Sequence, residues 1–234
     1  MSKWLSKLKV KAILPAAALI AAAAIGTTFA WKQWDLSVTN RLQAHTTEVD
    51  VQEEFDGNKK ENVAFKNDGS SSVFLRVAYS EYWEKGEGND RKILPNTMKD
   101  DSGAEISAAE KVWSENWKNS EKWIHCSDGW SYYKTSLSPG ESTPVILISA
   151  QPRTSDLPEE YQGANYHLYF KAEVVQCSDE SNTLNSDEVN RAAINEVFGK
   201  SLGEEALTFN IVDEKKIYTV AWPGDMSWEA FEGR

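Results

Sequence analysis

A two-residue alternation of apolar and polar side chains runs through most of the chain after residue 48, and it limits the fold more than any other signal. In EVDVQEEF, Val49 and Val51 alternate with acids. In NVAFKNDGSSSVFLRVAYSEYW, Val73, Leu75, Val77 and Tyr79 share one face, while Arg76 and Ser80 fall on the other. Successive side chains of a strand point to opposite sides, so this pattern predicts strands with one buried face. The Asn67–Ser71 stretch reads as the turn between two of them.

KWIHCSDGWSYYKTSL reads as a hairpin turning at Ser127–Asp128–Gly129, with Tyr132 and Tyr133 on opposite faces of the return strand. SPGES is a turn before the strand TPVILISA, and ANYHLYFKAEVVQC is one long strand from Ala164 to Cys177. The charged, Gly-bearing stretch from Glu84 to Glu105 reads as loop. Ala108, Ala109, Val112 and Trp113 have helical spacing. SDEVNRAAINEVFG reads as the firmest helix. Ser186 can cap it, Asp187 and Glu188 suit its positive end, and Gly199 stops it; its expected apolar face is Val189, Ala192, Ala193 and Val197. ALTFNIVDEKKIYTVAWPG is a last hairpin turning near Asp213–Lys216. Many short strands and one or two short helices predict an all-β fold, a two-layer antiparallel β-sandwich.

The front of the chain has a different grammar. Lys3, Lys7, Lys9 and Lys11 precede AILPAAALIAAAAIG, a 15-residue apolar run, and Thr28 and Ala30 flank Phe29 as small residues suited to a cleavage site. A spanning helix wants about 20 strongly apolar residues. This run is shorter, Ala-rich and interrupted by Pro15. The expected reading is a secretory signal over residues 1–30, cut before Trp31; retention as an anchor is the alternative. Either way the lysines stay inside and the rest faces outward. The expected division is signal 1–30, sandwich 31–202 and a C-terminal hairpin extension 203–234.

Removing the signal leaves 21 basic residues against 36 acidic ones. So acidic a chain is a poor partner for nucleic acid, which needs a basic surface to displace counterions. Cys126 and Cys177 are the only cysteines. Outside the cell such a pair is expected as a disulfide, with two separate buried thiols as the alternative.

TFAW, then FDG, then NVAFKNDGSSSVFLRVAYSEYW, DGWSYYKTSLSPGES and YQGANYHLYFKAEVVQ follow one another between Gly26 and Phe198. In order and spacing these blocks resemble the Gram-positive exported proteins that carry a SipW-type signal, the TasA and camelysin group of surface and biofilm-matrix proteins. The resemblance implies a jelly-roll-like sandwich, release by a dedicated SipW-type signal peptidase, and a role at the cell surface or in the matrix. It also implies self-association, in which an N-terminal strand, here within Trp31–Val51, is given to the next subunit; the plainer reading of that arm from its residues is a strand that pairs within its own sheet. The hairpin after Gly203 lies beyond the matching blocks, and the two cysteines depart from the group.

The residues give little support to catalysis. A zinc protease would want a cluster such as His-Glu-x-x-His; His45, His125 and His167 are isolated, and only a pairing of His125 with His167 across the sheet is conceivable. No serine sits in a Gly-x-Ser-x-Gly elbow. Glu53–Glu54 and Glu159–Glu160 read as solvated acids, and Asp56–Gly57–Asn58 and Asp100–Gly103 as turns. The expectation is therefore no enzyme, no cofactor and no metal. Trp83, Trp113 and Trp117 raise a second reading, an aromatic surface that stacks on sugar rings in a secreted glycan-binding module, against the plainer reading that they are core. Matrix or cell-wall components are the corresponding partners.

Overall fold

The structure is a computed structural model and describes residues 32–36, 49–56, 59–100, 102–119, 121–153, 157–179 and 185–233. Thr28, Ala30, Trp31 and His45 lie outside these residues. The chain divides into Met1–Trp31 and Lys32–Arg234, and only the second unit is considered below.

That unit is built mostly of antiparallel strands. A seven-stranded sheet has the order β1 (Lys32–Leu36), β12 (Asn165–Gln176), β4 (Val73–Lys85), β10 (Ser131–Tyr133), β9 (Trp123–Cys126) and β15 (Asp225–Met226), with β5 (Lys92–Leu94) also on β4. A four-stranded sheet has the order β2 (Val49–Asp56), β3 (Lys59–Asn67), β11 (Leu147–Pro152) and β8 (Ala109–Trp113). Two small pairs complete it: β6 (Thr97–Lys99) with β7 (Glu105–Ser107), and β13 (Leu207–Val212) with β14 (Lys215–Val220). Three short α-helices span Glu115–Lys118, Ser186–Phe198 and Trp228–Glu232.

The alternation sorts residues as expected along β4. Val73, Leu75 and Val77 are fully buried and join Phe170, Ala172 and Val174 of β12 in one apolar cluster. Val63 and Phe65 of β3, Leu147 of β11 and Trp113 of β8 belong to the same cluster, so both large sheets feed it. The turn at Asn67–Ser71 does not make a hairpin: β3 and β4 lie in different sheets. Asn67 holds the crossing, donating from Nδ2 to the carbonyls of Ser71 and Leu137, both at 2.9 Å.

Three local expectations need correction. Ala109–Trp113 is strand, because its backbone completes a ladder with β11 from Ala109↔Pro152 to Trp113↔Leu147. The helix falls just after it, where the Ser114 side chain accepts from Trp117 N. Within the stretch read as loop, β5, β6 and β7 form, and Met98 packs with Trp83, Ala108, Ala109 and Tyr161. Gly86 makes the turn into it: its φ is 85°, and a Cβ there would stand 2.6 Å from the Asp90 carbonyl oxygen. The Ser186–Phe198 helix forms and stops at Gly199 (φ 65°), but its buried stripe is Ser186, Asn190, Ala193, Ile194 and Phe198. Val189 is exposed, and Ser186 is the first helical residue, its hydroxyl turned inward, with Asn185 as the N-cap.

Of residues 203–234, expected as an extension, the described ones, 203–233, are built into the body. Leu207, Tyr218, Val220 and Trp222 pack with Phe74, Tyr132 and Val175 on the outer face of the seven-stranded sheet. β15 adds to its edge, and Trp228 and Phe231 join the cluster shared by the two large sheets.

Candidate functional site

The edge of the seven-stranded sheet is its most unusual element. β12 is 12 residues long and pairs along its whole length with β4 on one side. Among the described residues its other side is covered only by β1, from Lys32↔Val174 to Leu36↔Phe170. β1 is five residues long and sits in a different sheet from β2, the next described strand. A strand held at an edge by backbone pairing is the element most easily exchanged for an equivalent strand from elsewhere.

Trp83, Trp113 and Trp117, weighed as an aromatic surface against the plainer place in the core, are inside, at 1%, 4% and 0% exposed. Trp113 and Trp117 stack at 5.8 Å, and Trp117 meets Trp123 and His125 edge-on at 5.0 and 4.9 Å. These rings fill the end of the shared core beneath Trp228 and Phe231. The partly exposed aromatic group is a different one: Tyr82, His167 and Tyr169 lie nearly parallel on the outer face of β4 and β12, with His167 4.7 Å from Tyr82. Tyr82 and His167 are register partners. The signal for them in sequence is parity: Tyr82 shares the face of Arg76 and Ser80.

His125 is 3% exposed and saturated. Its Nε2 lies 2.7 Å from the Trp117 carbonyl and must donate to it, so Nδ1 accepts from the Ser131 hydroxyl, also at 2.7 Å. Burial lowers its pKa, and the Trp117 carbonyl and Asp225 only partly oppose that. A groove of ≈ 530 Å³ reaches His125 between Glu115, Lys118, Asp225, Trp228 and Glu229. Ser131 does not line it and is 0% exposed, so the serine–histidine contact offers no nucleophile to a substrate. The conceivable pairing of His125 with His167 does not occur. Through the registers His125 lies level with Ala172, and it faces the core while His167 faces out. Among the described residues no group of three His, Cys, Asp or Glu could hold a metal ion. Asp100 turns its Oδ1 to Ser102 N and Ala104 N, both at 2.9 Å, which is turn chemistry.

Cys126 and Cys177 are two separate buried thiols, so the expected bridge is not formed. β9 and β12 are three strand positions apart, about 14 Å at the usual spacing, beyond what a disulfide spans. Cys126 donates to the Pro223 carbonyl at 3.4 Å, and Asn190 donates to Cys177 at 3.7 Å. Burial pushes the Cys126 thiol up to about 11 and raises that of Cys177 as well, so neither is reactive.

The outer face also carries buried charge that the sequence does not announce. Arg76 donates from Nε to Glu173 at 2.7 Å, and from Nη1 to the Phe198 carbonyl at 2.9 Å. Its guanidinium lies 4.3 Å from the Trp130 ring and 4.6 Å from that of Phe198. Lys216 donates to the Ser186 hydroxyl at 2.6 Å and reaches Asp187 at 3.3 Å, and the Tyr218 phenol donates to the same carboxylate at 2.7 Å. Burial raises the Asp187 pKa, but these donors outweigh it and hold the carboxyl below its usual value. These residues tie the helix and the β13–β14 hairpin to the sheet.

No family model matches the chain, and neither a curated protein nor a solved structure matches it. No helix among the described residues is long and apolar enough to cross a membrane.

Proposed function

We propose that this is an exported, non-catalytic structural protein of the TasA and camelysin kind, a two-layer jelly-roll-like β-sandwich at the cell surface or in a biofilm matrix. A SipW-type signal peptidase cuts before Trp31, and subunits self-associate by passing β1 to the β12 edge of the next copy. The observation that carries this reading is the place of β1: a five-residue strand, directly behind the proposed cut, at the edge of the larger sheet. The cut makes it a free end, and its replacement by the β1 of a neighbour keeps every ladder bond while linking two bodies. The acidic balance fits matrix or cell-wall surroundings and no nucleic acid. The glycan-binding alternative loses the three tryptophans it was built on.

The test is elongation. The chain from Trp31 onward should form filaments visible by negative stain. A chain begun at residue 37 should stay globular and bind a synthetic 32–36 peptide at the vacated edge. Filaments that form equally well without residues 31–36, or a full-length mature chain that never elongates, would remove strand exchange from the account.

A further inference from the structure

β13 is an edge of a different kind. It reads Leu-Thr-Phe-Asn-Ile-Val, with no charge, no proline and no glycine. Phe209, Ile211 and Val212 are 38%, 59% and 53% exposed, three of the seven large apolar residues that are exposed among the described ones. Its partner β14 is fixed to the body on its far side, where Ser136 N donates to the Tyr218 carbonyl and Val220 N to the Lys134 carbonyl. No described strand pairs with the outer side of β13. The other outermost strands (β1, β2, β5, β6, β7, β8 and β15) each carry at least one charged residue, the usual means of keeping an edge unpaired. An uncharged, β-favouring segment of this length is the pattern of strand-to-strand association.

The hairpin geometry fixes which atoms are on offer. Asp213 and Glu214 both have positive φ, 48° and 63°, so the turn is a two-residue loop closed by Val212 and Lys215. In such a hairpin the closing pair is hydrogen-bonded, so Thr208, Asn210 and Val212 turn their N–H and C=O groups toward β14. The bond from Ala221 N to the Ala206 carbonyl, 2.8 Å, continues that parity. Phe209 and Ile211 therefore present theirs to the open side.

We propose that β13 pairs antiparallel with β13 of a second copy, about a two-fold axis at Asn210. This one register sets Phe209 against Ile211 of the other copy, and Thr208 against its Val212. It makes both Phe209–Ile211 positions hydrogen-bonded pairs, as the outward N–H and C=O groups require, and gathers four apolar side chains on one face. Asn210 faces its own counterpart at the close, non-hydrogen-bonded position. The sequence of the strand is thus complementary to itself under the symmetry that a homodimer imposes. An uncharged strand is also where two bodies that each carry such an excess of acidic residues approach at least cost. The acids that flank it, Glu204, Glu205, Asp213 and Glu214, come closer on pairing, so added salt strengthens the association. The contact uses neither β1 nor β12 and stands or falls apart from strand exchange.

The experiment takes the chain begun at residue 37 with the 32–36 peptide bound, so that exchange of β1 adds no mass, through sedimentation velocity from micromolar to several hundred micromolar, at low and high salt. The expected result is a weight-average mass rising toward two chains, more so in high salt. Ile211→Lys should weaken the association at least about tenfold, while Ile93→Lys, at an equally exposed position, leaves it unchanged. Asn210→Cys should give a covalent dimer on mild oxidation, while Val112→Cys on the edge strand β8 gives none. Because all four positions are exposed, near-ultraviolet circular dichroism of the buried tryptophans should be the same in every variant. A mass that stays at one chain under all conditions overturns the proposal. So does Asn210→Cys linking no faster than Val112→Cys, or Ile93→Lys weakening association as much as Ile211→Lys.

Discussion

The two faces of the seven-stranded sheet are both covered, but by different chemistry. Toward the four-stranded sheet, β4, β12, β9 and β10 present valines, leucine, phenylalanine, tryptophan and tyrosine, and the cluster they join is apolar and aromatic. Toward the Ser186–Phe198 helix and the β13–β14 hairpin, the same strands interleave Phe74, Tyr132 and Val175 with the Arg76–Glu173 pair. The Lys216–Asp187 and Lys200–Asp128 pairs lie on that side too. Apolar packing holds wherever volumes fit, whereas buried charge holds only when each partner is met. The inner face therefore supplies cohesion, and the outer face fixes which segment docks and in which register.

The comparison can be broken most directly by Trp117→Ala. The ring is 0% exposed among Trp113, Trp123, His125 and Trp228. Its removal should cost about 4 kcal/mol in urea unfolding. A loss under about 1 kcal/mol would mean that the inner face is not tightly packed.

On the outer face, Arg76→Met should cost about 3 kcal/mol, because buried Glu173 loses its closest partner and keeps only Lys171, 3.6 Å from its Oε1. Adding Glu173→Leu should recover most of that loss, since an apolar pair of similar volume is often neutral. If the double variant is no more stable than the single one, the guanidinium matters for its other contacts, to Phe198, Tyr132 and Trp130.

The smallest effect sharpens the contrast by pH. His125 has a lowered pKa in the fold, so the unfolded chain binds its proton more readily. Its contribution to stability is present above the unfolded pKa of about 6.5 and is lost as the pH falls through the folded value. Unfolding free energy measured between pH 7 and 5 should slope downward toward acid, and His125→Gln should flatten that slope. Asp187, with its pKa also lowered, acts in a separate window, below the ordinary carboxylate range of about 4. A slope below pH 7 that survives His125→Gln would assign the effect to another group.

The inner face was legible in the sequence because one rule governs it. Val73, Leu75 and Val77 point one way in any half-buried strand, and Tyr133 parts from Tyr132 for the same reason. The outer face was not, because Arg76, Glu173, Lys216 and Asp187 look like solvent-facing charges until their partners, up to about a hundred residues away, are placed beside them. The helix at Ser186 shows both sides of this. Its limits follow from Gly199 and the acidic first turn, but its buried stripe is rotated to where Ser186 and Asn190 meet Lys216 and Ser178. Ala109–Trp113 misled because apolar spacings of one, four and five suit either period until a neighbouring strand decides. Of the sheet edges, a strand within Trp31–Val51 was readable, but the bare edge of β13 was not, since exposure at an edge is a property of the assembled body.

Trp228 and Phe231 lie against residues as early as Tyr79 and Trp113. The interior therefore stays open at one end until residue 231 is in hand. A chain that emerges head first from a ribosome holds its aromatic interior partly wet until these two rings arrive to seal it.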